Sequence, residues 1–147
     1  LNDEVFLNPK IPNGEYVVEF VSYYTAVMFR EKTPKVCLLF AIVEGEYEGF
    51  KIERYYSAGR LIGLPGKDGD FKALSQTCAL LMEYCTCFPD QEIVRLDRIP
   101  MTRWKKGKFL VRVRSTKLNH QRRNIPTQLQ SSVVDQIIRG VEQRPLS

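Results

Sequence analysis

Apolar and polar residues alternate along several stretches of this chain with a period of two, the pattern of strands lying half-buried in a sheet. After the turn Ile11-Pro-Asn-Gly14, the stretch Glu15–Tyr24 is rich in Tyr, Val and Phe and predicts a strand. Its Tyr16, Val18 and Phe20 share one face, and Val17, Glu19 and Val21 the other. Thr25–Pro34 is polar, contains Arg30, Lys32 and Pro34, and reads as a loop. Lys35–Val43 is apolar on both faces, as a central strand is. Glu44-Gly-Glu-Tyr-Glu-Gly49 is a tight reversal, which makes Phe50–Ser57 the antiparallel partner of that strand.

The period then changes. Ala58–Asp70 holds four glycines and a proline and reads as a loop. Its Gly63-Leu-Pro-Gly-Lys67-Asp68 lacks the spacing of a phosphate-cradling loop, and Asp68 stands where such a loop needs a hydroxyl. Asp70 can cap a helix running to about Cys85, because Phe71, Leu74, Cys78, Leu81 and Cys85 recur at intervals of three and four; Pro89 ends it. Trp104-Lys-Lys-Gly-Lys108 predicts a turn. From Lys108 to about Thr116, Phe109, Val111 and Val113 alternate with Lys108, Arg112 and Arg114, so a strand with an outward basic stripe is expected. Lys117–Arg123 is a basic loop, and Ser131–Ile138 fits a last short strand or, slightly better, a helix.

Three strands, a helix, a strand and a fifth element form the order of a five-stranded Greek-key barrel with its helix between strands three and four, the OB-fold arrangement. The expected class is therefore mainly β, in one domain of 147 residues with its core over about 12–138 and short flexible ends. The longest apolar run, Val36–Val43, is far short of a membrane span, and no signal-peptide pattern opens the chain. Cys37, Cys78, Cys85 and Cys87 lack zinc-ligand spacing and read as reduced thiols, which predicts a cytoplasmic protein without a metal site. A single histidine and no recognisable acid–base or nucleophile arrangement predict a non-enzymatic chain without a cofactor.

Charge narrows the class of partner. Residues 95–123 carry eleven Lys or Arg against the single acid Asp97, while the whole chain is only +5. Such a segment repels itself, and a polyanion offers it a reason, through counterion release at each neutralised phosphate. Under the barrel assignment Arg30 and Lys32 lie on the loop between strands one and two. Arg54 and Tyr55 lie on strand three, Arg112 and Arg114 on strand four, and Lys117, Arg122 and Arg123 on the loop after it. These are the elements with which OB folds bind oligonucleotides. Period two sets Tyr55 with Lys51 and Glu53 on the polar side, available for base stacking, and Tyr56 with Phe50 and Ile52 in the core. Arg54 shares the Tyr56 side and needs a place near the barrel rim. Trp104, beside Lys105, Lys106 and Lys108, is either a stacking platform or a plug at a barrel end.

Pro12-Asn-Gly-Glu-Tyr16, Lys35–Val43, Gly45-Glu-Tyr-Glu-Gly49 and Arg54-Tyr-Tyr56 resemble a group of small OB-fold single-stranded-DNA-binding-like proteins of bacterial phages, plasmids and integrative elements. Leu96-Asp-Arg-Ile-Pro-Met101, Val113–Lys117 and Ser132-Val-Val134 extend the resemblance over most of the chain. It implies single-stranded DNA as partner, in replication, transfer or recombination. RNA, a protein partner of an OB-like module, and a homodimer through strand edges stay open. The ending Gln143-Arg-Pro-Leu-Ser147 differs from the acidic tip of housekeeping single-strand-binding proteins, so recruitment of partners by such a tip is not expected.

Overall fold

The computed structural model describes residues 11–27, 33–90, 95–115 and 132–141. Its elements run β1 (Gly14–Val27), β2 (Pro34–Ile42), β3 (Lys51–Ile62), β4 (Gly66–Lys67), β5 (Asp70–Ala73), α1 (Ala79–Cys87), β6 (Lys108–Ser115) and β7 (Ser132–Val141). The sheet is ordered β5-β3-β2-β1-β6-β7, with β4 on the other edge of β1, and every pairing is antiparallel. Alternating direction from strand to strand means that β3 and β7 run the same way. The sheet curls so strongly that these two meet. Order and curl together are those of an OB-like barrel, and the chain is mainly β. No helix among the described residues is long and apolar enough to cross a membrane.

The inward faces supply the core: Val18, Val36, Leu38, Phe40, Ile42, Ile52 and Tyr56 from β1 to β3, and Phe109, Val111, Val113, Val134 and Ile137 from β6 and β7. Leu80 and Tyr84 of α1 cover it. A 3-10 turn at Met101–Lys106 inserts Trp104, which is fully buried. Its ring meets Tyr84, Phe88 and Phe109 edge-on at centroid distances of 5.6, 5.3 and 5.2 Å. Such contacts add ~0.5–1.5 kcal/mol each beyond the area they bury.

One carboxylate closes the seam where β3 meets β7. Glu83, on α1, accepts from the Tyr56 hydroxyl at 2.7 Å, from Arg54 Nε at 3.1 Å and from the Ile137 backbone N–H at 3.0 Å, all through Oε1. Its Oε2 takes Arg54 Nη2 at 2.5 Å. The side chains of Arg54 and Glu83 are only 15% and 9% exposed. Burial works against the Arg54 charge, but the hydrogen bonds and charge of Glu83 outweigh it and raise the guanidinium pKa. Helix, β3 and β7 are thus joined at one group.

Three segments depart from the sequence reading, and a fourth, 132–141, decides between its two alternatives. Residues 70–73 form a strand, with Phe71 and Ala73 buried at period two, and the helix begins only at Ala79. The helical stripe was a coincidence of that strand with the buried pair Leu80–Leu81; Leu74 is exposed. The expected loop at 58–70 includes the end of β3 and β4, and β1 continues to Val27, beyond the Tyr24 boundary. Finally, 132–141 is a strand and not a helix. The register of β6 and β7 shifts twice, and the shift between Val134 and Gln136 brings Val134 and Ile137, three residues apart, both inside, which imitates helical spacing.

Glu83→Ala is expected to destabilise the protein by ~3–5 kcal/mol, because it leaves a buried arginine without its counter-charge. Glu83→Gln, which keeps an acceptor for Tyr56 and Ile137, should cost less. Urea denaturation of the three proteins measures this; an alanine variant within 1 kcal/mol of the parent would show that the seam is held elsewhere.

Candidate nucleic-acid interface

Two β-bulges decide which side chains face outward at the top of the barrel. In β1, Phe20 pairs with Phe40 but Ser22 pairs with Leu39, so Val21 is an inserted residue and the alternation reverses after it. Tyr24 therefore faces outward and Thr25 is buried. In β3, Ala58 pairs with Ala73 and Arg60 with Lys72, leaving Gly59 as the insertion. A Cβ on Gly59 would lie 2.9 Å from the Ala73 carbonyl oxygen, so only glycine fits there.

Outward from the barrel, one row of register partners crosses four strands: Lys67 of β4, Tyr24 of β1, Cys37 of β2 and Tyr55 of β3. Tyr55 is 39% exposed, whereas Cys37 is covered. Glu53 orients the row. Its Oε2 accepts from the Tyr24 hydroxyl at 2.8 Å and the Cys37 thiol at 3.0 Å, and its Oε1 accepts from the Tyr55 hydroxyl at 2.9 Å. Burial, reinforced by this carboxylate, raises the pKa of Tyr24, Cys37 and Tyr55. The Cys37 thiol stays protonated at neutral pH and is no nucleophile. In the row beyond, Lys35 donates to Ser57 Oγ at 3.1 Å. The result is two tyrosines on strands about 10 Å apart across one intervening strand, their hydroxyls converging on one carboxylate, with lysines on either side.

The structure distributes the sequence-predicted residues differently. Tyr55 and Tyr56 take the sides that period two assigned, Tyr55 outward and Tyr56 buried. Arg54 lies on the Tyr56 side, held by Glu83, and does not join the outer face. Trp104 is the core plug; full burial removes it from any stacking role. Lys105 is exposed next to it, and the side chain of Lys106 lies outside the description. Arg30, Lys32, Lys117, Arg122 and Arg123 fall outside the described residues.

Lys108, Arg112 and Arg114 are on the outer side of β6 but do not face Tyr55 across a groove. Lys108 stands opposite Glu19, and Arg112 stands between Glu15 and Gln136, bonding the latter at 3.1 Å. Arg114 is paired with Asp135 at 2.9 Å. The Arg112 row crosses β1 at Glu15, nine residues before Tyr24, a span of about 30 Å at ~3.3 Å per residue. Sequence reading passed over Tyr24, Lys67 and Lys35. The bulges that bring Tyr24 outward, and the strand pairing that brings Lys67 beside it, leave no mark in a period-two pattern.

Among the described residues no group of three or more His, Cys, Asp or Glu could hold a metal ion. No family model matches the chain, and no curated protein or solved structure matches it either.

Two spectroscopic outcomes follow from these environments. Tyrosines whose pKa is raised in the folded state stabilise it below pH 10, and that contribution is lost as pH climbs through their folded values. Tyrosinate absorbance from Tyr24 and Tyr55, read as the difference between the parent and the Tyr24→Phe and Tyr55→Phe variants, should therefore appear only with alkaline unfolding; a difference signal near pH 10 in the folded chain would contradict the Glu53 anchor. Trp104, the single tryptophan, should emit at short wavelength and resist quenching by iodide.

Proposed function

We propose that this chain binds single-stranded DNA without catalysing a reaction, as a cytoplasmic protein serving the replication, transfer or recombination of a mobile element. The observation that carries the reading is the Lys67–Tyr24–Cys37–Tyr55 row. Sequence-independent single-strand binding needs aromatic faces for bases and cations for the phosphates between them, and this row offers both on one surface. It lies on the strand-two and strand-three side of an OB-like barrel, where that fold takes oligonucleotides. The resemblance to phage and plasmid OB-fold proteins points the same way. The excess charge of residues 95–123 adds a long-range attraction for the polyanion.

A second reading rests on a specific observation. Arg95, Arg103 and Arg114 of the basic segment are each ion-paired, with Asp97, Asp90 and Asp135. Their charge is partly spent within the fold, as in an interaction module whose partner is a protein.

Fluorescence anisotropy with labelled oligo-dT separates the two. Binding should weaken steeply with salt and exceed that of matched duplex. Tyr55→Ala and Tyr24→Ala should each cost about 5- to 150-fold in affinity, the worth of one stacked base. Tyr55→Phe, which keeps the ring, should stay close to the parent. Absence of binding to any nucleic acid at ~50 mM salt, where the phosphate term is strong, favours the protein partner.

A further inference from the structure

The end of β3 and β5 form a two-stranded arm on which Arg60 and Lys72 are direct register partners. Both are exposed. Like charges placed opposite one another on a sheet are destabilising, and a shift of either residue would relieve them. Neither forms an ion pair among the described residues, nor do Lys35 and Lys67, whereas Arg54, Arg95, Arg103 and Arg114 all do. Arg60, Lys72, Lys35 and Lys67 thus place four cations without ion pairs around the tyrosine row and the arm beside it, with Asp70 on the same face of β5 as Lys72.

The arm is also fixed in place. β4 pairs with β1 at Tyr24 and Thr25, and the Asp68 N–H donates to the Tyr23 carbonyl at 3.0 Å. Thr25 Oγ1 accepts from the Gly66 N–H at 3.2 Å. Gly69 packs so closely that a Cβ would stand 2.1 Å from that same oxygen. These tethers hold the backbone that joins β3 to β5 against β1, beside Tyr24. The Gly59 bulge turns Arg60 to the outer side, continuing the face that carries Tyr55 and Ser57.

We infer that the Arg60–Lys72 pair is a phosphate-binding site for the strand whose bases stack on Tyr24 and Tyr55. This inference rests on the single-strand reading proposed above. It makes the arm, and not the arginines of β6, the main backbone contact of the site. The like-charge pair is tolerated because a phosphate between the two cations relieves their repulsion. A polyanion fits the pair better than a carboxylate-bearing protein side chain, since consecutive phosphates can also reach Lys67 and Lys35 along the same face.

The full chain carrying Arg60→Gln and Lys72→Gln, which keep the polar stems, should bind oligo-dT more weakly than the parent. Loss of the phosphate held between them should flatten the dependence of log K on log salt by about 0.7, the contribution of one phosphate on a single strand. Its melting temperature should be unchanged or higher, because a repulsion has been removed. Arg112→Gln with Arg114→Gln should change the slope less. A parent that binds oligo-dT, beside an Arg60–Lys72 variant with an undiminished slope, overturns the arm alone. A lowered melting temperature in that variant would show the pair to be structural and would also overturn it. A parent that binds no nucleic acid removes the single-strand reading, and the arm site with it.

Discussion

The barrel depends on a single buried carboxylate. Antiparallel pairing carries the sheet from β5 to β7, but it does not join β3 to β7, which run in the same direction and meet only through curl. Glu83 spans that gap from the helix, taking Arg54 and Tyr56 from one edge and the Ile137 N–H from the other. Burying two opposite charges is expensive, and the cost is offset only when the remaining hydrogen-bond sites are filled. Here the backbone donor of an otherwise unpaired strand edge fills one of them. The group that neutralises the arginine is therefore also the group that ends the sheet. This explains why Glu83 is buried although it is an acid, and why Arg54 is withdrawn from the outer surface.

With the seam fixed, the outer face is set by registers, and two inserted residues dominate it. Counting by twos from Val18 and Phe20 sends Tyr24 inward and Tyr23 outward; the insertion at Val21 exchanges them. The insertion at Gly59 does the same for Arg60. Together they turn a tyrosine and an arginine to the side that Tyr55 already occupies. Bulges re-aim side chains at sites without disturbing the core. In this chain they assemble the tyrosine row and its cationic border.

The legible and illegible parts of the sequence divide along this line. Strands whose alternation is unbroken were read correctly: Phe109, Val111 and Val113 are buried, and so are Ile52 and Tyr56, with Tyr55 exposed. The strand order followed from the sequence of elements. What failed was pattern that changes phase or is shared by two elements. Phe71 belongs to a strand and Leu81 to a helix, yet together they counted as one helical stripe. Val134 and Ile137 lie on either side of a register shift, and their spacing of three imitates a helix turn. Lys67 sits in a glycine-rich stretch with no periodicity, and only its pairing beside Tyr24 gives it a place. Glu53 and Glu83, the two carboxylates that organise the outer and inner sites, carry no local signal, because their partners are brought together only by strand pairing and closure.

Charge density along the chain is likewise a poor guide to charge density in space. The basic segment meets its opposites across the sheet: Glu19 beside Lys108, Glu15 beside Arg112, Asp135 on Arg114. A lysine-poor stretch of the chain supplies Lys35, Arg60, Lys67 and Lys72, which have no such partners. A cation without an ion pair meets a phosphate without first giving up a contact within the fold, whereas Arg95, Arg103 and Arg114 would have to exchange an aspartate for it. The same reasoning explains how a net charge of only +5 is compatible with a polyanion ligand. What matters is the local charge that folding leaves unpaired, and part of it, on Lys35, Arg60, Lys67 and Lys72, borders the tyrosine row and the arm beside it.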